Sequence, residues 1–177
     1  MSNAAKLARF EQAVLIHFDA AYNLARWLTQ DETGAEDAVQ EACLRAFRFF
    51  EGQHGPSPKA WFMAVVRNAC LDWLKERRRL ARDEEYDEDV HGRGEESGES
   101  PDVAAARASE SRWLRDCIAR LPREYREVLV LRELEELSYK EISAIVEVPL
   151  GTVMSRLARG RDLLQQRLIQ SRKKANS

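Results

Sequence analysis

Apolar residues recur along the chain at the three- and four-residue intervals of an amphipathic helix. Phe10, Val14, Leu15, Phe18, Ala21, Tyr22 and Ala25 form one stripe. After a break at residues 29–34, a second stripe runs through Ala35, Ala38, Val39, Ala42, Cys43, Ala46, Phe47 and Phe50. The stretch Gly52-Gln53-His54-Gly55-Pro56-Ser57-Pro58 ends it, because two glycines and two prolines do not continue a helix. Trp61, Phe62, Val65, Ala69 and Trp73 then mark a third helix, which runs into a basic cluster at residues 75–82.

Further on, Trp113, Leu114, Cys117, Ile118 and Leu121 predict a fourth helix that stops at Leu121-Pro122, and Tyr125, Val128, Leu129, Arg132 and Leu134 a fifth. Ser138-Tyr139-Lys140-Glu141 has the form of a capping box, in which Ser138 and Glu141 each satisfy the other's backbone amide at the start of a helix. Ile142, Ile145 and Val146 give that helix its apolar face. Pro149 suits the first turn of the next, at about residues 150–169, which buries Val153, Leu157, Leu164 and Leu168. Two helices joined by a tight turn, the second basic, make a helix-turn-helix. Strand-like alternation is absent, so the expected fold class is all-α.

Charge divides the chain where the helical pattern lapses. The net charge is only −2, but residues 83–102 hold ten acids against Arg93 alone, which leaves the remainder clearly basic. The same stretch carries three glycines, two serines and a proline and almost nothing apolar, so it buries too little to offset the entropy of ordering. The reading is two small helical domains, at residues 5–82 and 109–172, joined by a flexible acidic linker at 83–108. An acidic surface loop inside a single domain is the other arrangement with this pattern.

Composition restricts the chemistry. No apolar run approaches the ~20 residues that cross a bilayer, and no basic segment followed by an apolar stretch opens the chain, so neither membrane insertion nor secretion is expected. Three cysteines without C-x-x-C spacing and three scattered histidines support neither a disulfide scaffold nor a sequence-local metal site. No phosphate-binding loop, dinucleotide fingerprint, zinc-protease motif or nucleophile elbow occurs. We therefore expect no catalysis, no cofactor and no metal. DNA binding fits better: Thr152, Ser155, Arg156, Arg159 and Arg161 place short polar side chains and arginines on the last helix, where they reach base edges and phosphates. A solvated basic face on an ordinary helix has the same spacing. Lys75-Glu76-Arg77-Arg78-Arg79 continues a helix bearing Trp61, Phe62 and Trp73, a combination suited to single-stranded or melting DNA. For each tryptophan taken singly, plain core packing is the favoured reading.

Two motifs carry a family resemblance. One is Asp37-Ala38-Val39-Gln40-Glu41-Ala42 with Arg45-Ala46-Phe47. The other runs from Leu121-Pro122 through Leu137-Ser138-Tyr139-Lys140-Glu141-Ile142 to Gly151-Thr152-Val153-Met154-Ser155-Arg156. At this separation the chain resembles an extracytoplasmic-function (ECF) sigma factor of the bacterial sigma-70 family over about residues 7–170. The resemblance implies a cytoplasmic promoter-recognition subunit that binds core RNA polymerase. It implies that Asp37, Gln40 and Glu41 dock on the clamp of the largest polymerase subunit. It implies further that Trp61, Asn68, Lys75, Arg77 and Arg78 engage the −10 element, Asn68 reading a flipped base in a pocket formed with the preceding loop. Arg132, Ser155 and Arg159, with Thr152 and Arg156 beside them, match the surface that contacts the −35 element. Met154 stands where Lys or Arg is common, and Glu147 where a glycine is frequent in the turn. An anti-sigma factor is the implied regulatory partner. The competing reading is a stand-alone helix-turn-helix regulator with an N-terminal dimerisation or sensing domain; a third is an interaction module that mimics these surfaces.

Overall fold

A computed structural model of the chain describes residues 2–53, 55–84 and 102–176. The acidic stretch read as a flexible linker lies, over residues 85–101, outside the described residues. Among the described residues the ordered elements are all helical. They are α1 (Asn3–Ala13), α2 (Phe18–Thr29), α3 (Glu32–Phe49), α4 (Pro58–Glu84), α5 (Asp102–Ala119), α6 (Arg123–Leu129), α7 (Tyr139–Val146) and α8 (Leu150–Ala175). Helix therefore extends to Glu84 and resumes at Asp102, inside the span read as linker.

The first apolar stripe is not one helix. A 3-10 turn at Leu15–His17 separates α1 from α2 and re-phases the stripe. Phe10 and Val14 are buried on one side of the turn and Ala21, Leu24, Ala25 and Leu28 on the other, whereas Phe18 is left exposed. Phe10 meets Phe47 and Phe50 edge to face at 5.3 and 5.5 Å, which ties α1 to the end of α3. Gln30 in the left-handed region ends α2, and Asp31 caps α3 by accepting the Gly34 amide at 2.8 Å. Leu24, Leu28, Val39, Phe62, Met63 and Val66 form the core among α2, α3 and α4. Cys70 lies in it, and burial pushes its thiol up to about 12.

The second unit is built the same way. After α6 the chain makes a π turn at Val130–Leu134 before entering α7. Leu129, Leu131, Ile142, Ile145, Val153 and Leu157 are buried among α6, α7 and α8. Leu164 and Leu168, expected in the core, are only half-buried. Beyond the turns of α8 that pack on α6, the helix continues to Ala175 with less to cover it. Pro149 caps α8 from outside instead of occupying its first turn.

The two units pack against each other, α4 on α7 and α2 on α6, so that the buried apolar residues form one continuous cluster. Polar bonds stitch this joint. Arg67 donates two hydrogen bonds to Glu127, at 2.8 and 3.0 Å, with both side chains buried. Asn23 donates to Glu135 at 2.8 Å, and the Lys59 ammonium lies 3.9 Å from the same carboxylate. Ser57 donates to Glu141 at 2.9 Å, and Gln30 to the Ala119 carbonyl at 2.6 Å.

Candidate nucleic-acid and protein interfaces

Helix α3 turns its small residues inward, which leaves Asp37, Gln40 and Glu41 exposed on the opposite face. Asp37 and Gln40 have no partner among the described residues, but Glu41 accepts from Arg45 at 2.8 Å, and Arg45 also donates to Asp72 of α4 at 2.8 Å. Those bonds, to Asp72 first and then to Glu41, hold the Arg45 guanidinium more firmly protonated than usual. Leu44 stands on the same outward face at 67% exposure. The sequence reading missed it, although a leucine four positions beyond Gln40 and three beyond Glu41 on a polar face is a visible signal.

Around the edge of α3 the surface becomes concave. Arg45, Phe49, Trp61, Val65 and Asn68 line a cavity of about 310 Å³. Trp61 is half-buried, Phe49 is 62% exposed, and the Asn68 amide is free to donate and accept. On the other side of Trp61 the loop residues Gln53, Gly55, Pro56, Ser57 and Pro58 enclose a second hollow of about 170 Å³. Gly55 adopts φ 138°, which excludes a side chain, and the buried Gln53 Oε1 has no partner. Trp61 is thus a wall shared by two hollows. Arg45 and Phe49 are additions to the sequence reading.

Lys75, Arg77 and Arg78 do not converge on this cavity. They lie farther along α4, about 10–15 Å beyond Asn68 at 1.5 Å per residue. Arg77 sits over the Trp73 ring at 5.1 Å and 3.9 Å from Asp31, so it is partly engaged. Lys75 and Arg78 have no partner among the described residues and leave an exposed positive strip. Trp73 itself packs on Gly34, whereas Trp61 faces the cavity.

The second surface lies on α8. The capping box that starts α7 is complete: Ser138 Oγ accepts from the Glu141 amide at 3.2 Å, and Glu141 accepts from the Ser138 amide at 2.8 Å. Burial alone would raise the Glu141 carboxyl. Bonds from the Ser138 amide and the Ser57 and Ser138 hydroxyls, with the nearby Lys59 charge, outweigh it and hold the carboxyl below its ordinary value. Glu147 closes α7 in the left-handed region at φ 56°, a conformation that costs a residue with a side chain some strain. Ser143 Oγ donates across that turn to the Val148 carbonyl at 2.6 Å.

The turn delivers the start of α8 with Thr152, Met154, Ser155, Arg156 and Arg159 outward to differing degrees. Met154 is 52% exposed, and Arg156 and Arg159 are unpaired among the described residues. Arg132 is held elsewhere in the unit: it donates to the Leu137 carbonyl at 2.9 Å and lies over the Tyr139 ring at 4.9 Å. Arg161 is tied to Glu133 at 2.7 Å. The described residues contain no cluster of side chains suited to a metal, and no helix is long and apolar enough to cross a membrane.

Comparison with known proteins agrees with this geometry. Residues 14–80 match the family model for Sigma-70 region 2, and residues 111–164 that for Sigma-70, region 4. The ECF RNA polymerase sigma-E factor of Haemophilus influenzae is 30% identical, over 82% of this chain and 79% of its own length. The ECF RNA polymerase sigma factor SigE of Mycolicibacterium smegmatis is 33% identical over 93% of this chain, which spans 63% of that longer protein. Among solved structures, the sigma factor RpoE of Bartonella quintana, in complex with the anti-sigma factor NepR, aligns over 90% of this chain and 96% of its own with a TM-score of 0.71 and 26% identity. The chain belongs to the ECF group of the sigma-70 family, RNA polymerase sigma factors that direct transcription initiation.

Proposed function

We propose that the unit within residues 5–82 docks on core polymerase and opens the −10 element, while the unit within residues 109–172 reads the −35 element. The observation that carries this reading is the pair of hollows around Trp61, coupled in one chain to an unpaired basic face on α8. A flipped base of the non-template strand enters the cavity between Phe49 and Trp61, and the Asn68 amide meets its edge. Lys75 and Arg78 follow the adjoining phosphates. In the second unit Thr152 and Ser155 present short polar groups to the major groove, and Arg156 and Arg159 supply cations for bases and phosphates.

Asp37, Gln40 and Leu44 form the centre of the polymerase contact, on the clamp of the largest subunit, with Glu41 held in place by Arg45. The role is one of binding and not of catalysis, and it is exercised where the polymerase works, in the cytoplasm. The solved relative from Bartonella quintana is bound by an anti-sigma factor, which supports a partner of that kind here. An operator-binding regulator is not favoured, because the region 2 match accompanies the helix-turn-helix.

Run-off transcription tests the whole reading. Core polymerase with and without this chain is supplied with fragments from upstream of the chain's own gene. Specific initiation only in its presence is the expected result; binding of the fragment by the chain alone, without initiation, would return the role to a regulator.

A further inference from the structure

Over residues 150–160 the exposed face of α8 is divided lengthwise. At about 3.6 residues per turn, Val153, Leu157 and Gly160 fall on the buried side. From one edge of that side Leu150, Met154, Ala158 and Gly151 follow round the helix, then Ser155, then Arg159, Thr152 and Arg156 toward the other edge. One half of the face therefore carries cations and a hydroxyl. The other half carries neither a charge nor a strong hydrogen-bonding side chain.

Met154 stands tallest on that apolar half. Its same-face neighbours, Gly151 three residues back and Ala158 four residues on, are both exposed and almost without side chain. Nothing of the chain lies within 4 Å of where a Cβ on Gly151 would stand. The fold itself therefore does not require a bare position there, although glycine weakens a helix. Met154 is 52% exposed, and Leu150, four residues before it, 47%. An exposed apolar side chain standing singly needs no explanation, but here two adjoin on the helix that carries Thr152 and Ser155. The Ser155 hydroxyl donates to the Thr152 carbonyl at 3.0 Å, so its proton is spent within the helix.

We infer that Met154 is a specificity-determining residue of the −35 contact, and that it selects a thymine by its 5-methyl group. The inference rests on the proposal above that α8 reads the −35 element. Base-pair edges in the major groove present donors and acceptors, and the thymine methyl is the apolar group among them. A thioether chain has no N–H or O–H to offer. Laid against the cytosine amine or the guanine carbonyl, it would displace water without replacing the hydrogen bonds lost. Laid against the thymine methyl, it removes apolar surface from water on both sides. The bare positions at Gly151 and Ala158 let the base edge come close, and the unbranched methionine chain adapts to where the methyl lies.

Deoxyuridine differs from thymidine by that methyl alone, so it isolates the contact. Polymerase reconstituted from core and the full chain is titrated with promoter fragments from upstream of the chain's own gene. Each −35 base pair is set in turn to T·A or A·T, carrying either thymine or deoxyuridine. At one pair the deoxyuridine form should bind the wild type about two- to fivefold more weakly, the effect of one buried methyl. Met154→Gln, similar in length but polar, should bind the two forms equally at that pair, whereas Met154→Leu should keep the preference for thymine. Because Met154 is exposed, neither substitution should alter the thermal denaturation midpoint. If no pair shows a methyl sensitivity that Met154→Gln removes, the inference is overturned. A scrambled −35 element separates this result from the reading beneath it. Weaker binding on scrambling, with no methyl effect, refutes the role of Met154 alone; unchanged binding on scrambling refutes the −35 reading and the inference with it.

Discussion

The indole of Trp73 occupies the space that a side chain at position 34 would fill: a Cβ on Gly34 would overlap its ring. Helices α3 and α4 approach this closely only because Gly34 is bare. Arg77 then covers the outer side of the same ring. Gly34→Ala should therefore destabilise the chain by about 1–3 kcal/mol through overpacking. A urea titration followed by tryptophan emission reads the change, and a stability equal to wild type would mean that α4 shifts without cost.

Glu147 occupies a left-handed turn that favours glycine. Glu147→Gly relieves the steric strain at φ 56° and gives back part of that gain as chain entropy. A net stabilisation of about 0.5–1 kcal/mol is expected, with −35 DNA affinity unaltered. Denaturation midpoints and a fluorescence-anisotropy titration check the two halves of this statement.

Glu141 makes part of the stability dependent on pH. Its carboxyl titrates below the ordinary 4.5 in the folded chain, so its contribution is complete above that value and is lost as pH falls through the lower folded value. Stability measured between pH 3 and 7 should decline on the acid side. Glu141→Gln should lower stability near neutrality and flatten the acid-side decline; an unchanged slope would place the effect on other carboxylates.

The candidate interfaces separate by readout. Asn68→Ala should reduce promoter-specific initiation about tenfold or more at a base-reading position, and Arg159→Ala should do likewise on promoters that depend on the −35 element. Neither should alter core binding. Leu44→Asp, in contrast, should weaken core binding in a direct titration. Lys75→Ala and Arg78→Ala should each reduce the salt dependence of DNA binding by about one unit of slope.

Helical periodicity, the capping box at Ser138 and the turn before Pro149 made the all-α fold and the helix-turn-helix legible, because those signals are local. The break at Leu15–His17 was not legible, since the apolar stripe continues through it and only the change of buried face reveals the turn. Trp61 and Asn68 share a cavity because they lie seven residues apart on one helix, a spacing the sequence displays. Arg45 and Phe49 come to that cavity from α3, and Glu127 comes to Arg67 from 60 residues away. No interval along one strand of text reports contacts of that kind. The neighbours of Arg77, the Trp73 ring one turn back on its own helix and Asp31 from the start of α3, are likewise visible only in the fold.

The hydrogen bond from Ser57 to Glu141 joins a loop that walls a hollow in one unit to the carboxylate that starts the helix-turn-helix of the other. Such shared groups limit modularity. A chimera that takes its first half from this chain and its second from a relative keeps each contact only where the relative supplies the matching acid. Exchange of promoter specificity between relatives therefore has to carry residues 57 and 141, and 67 and 127, as matched pairs, even though none of the four lies on the exposed face of α8.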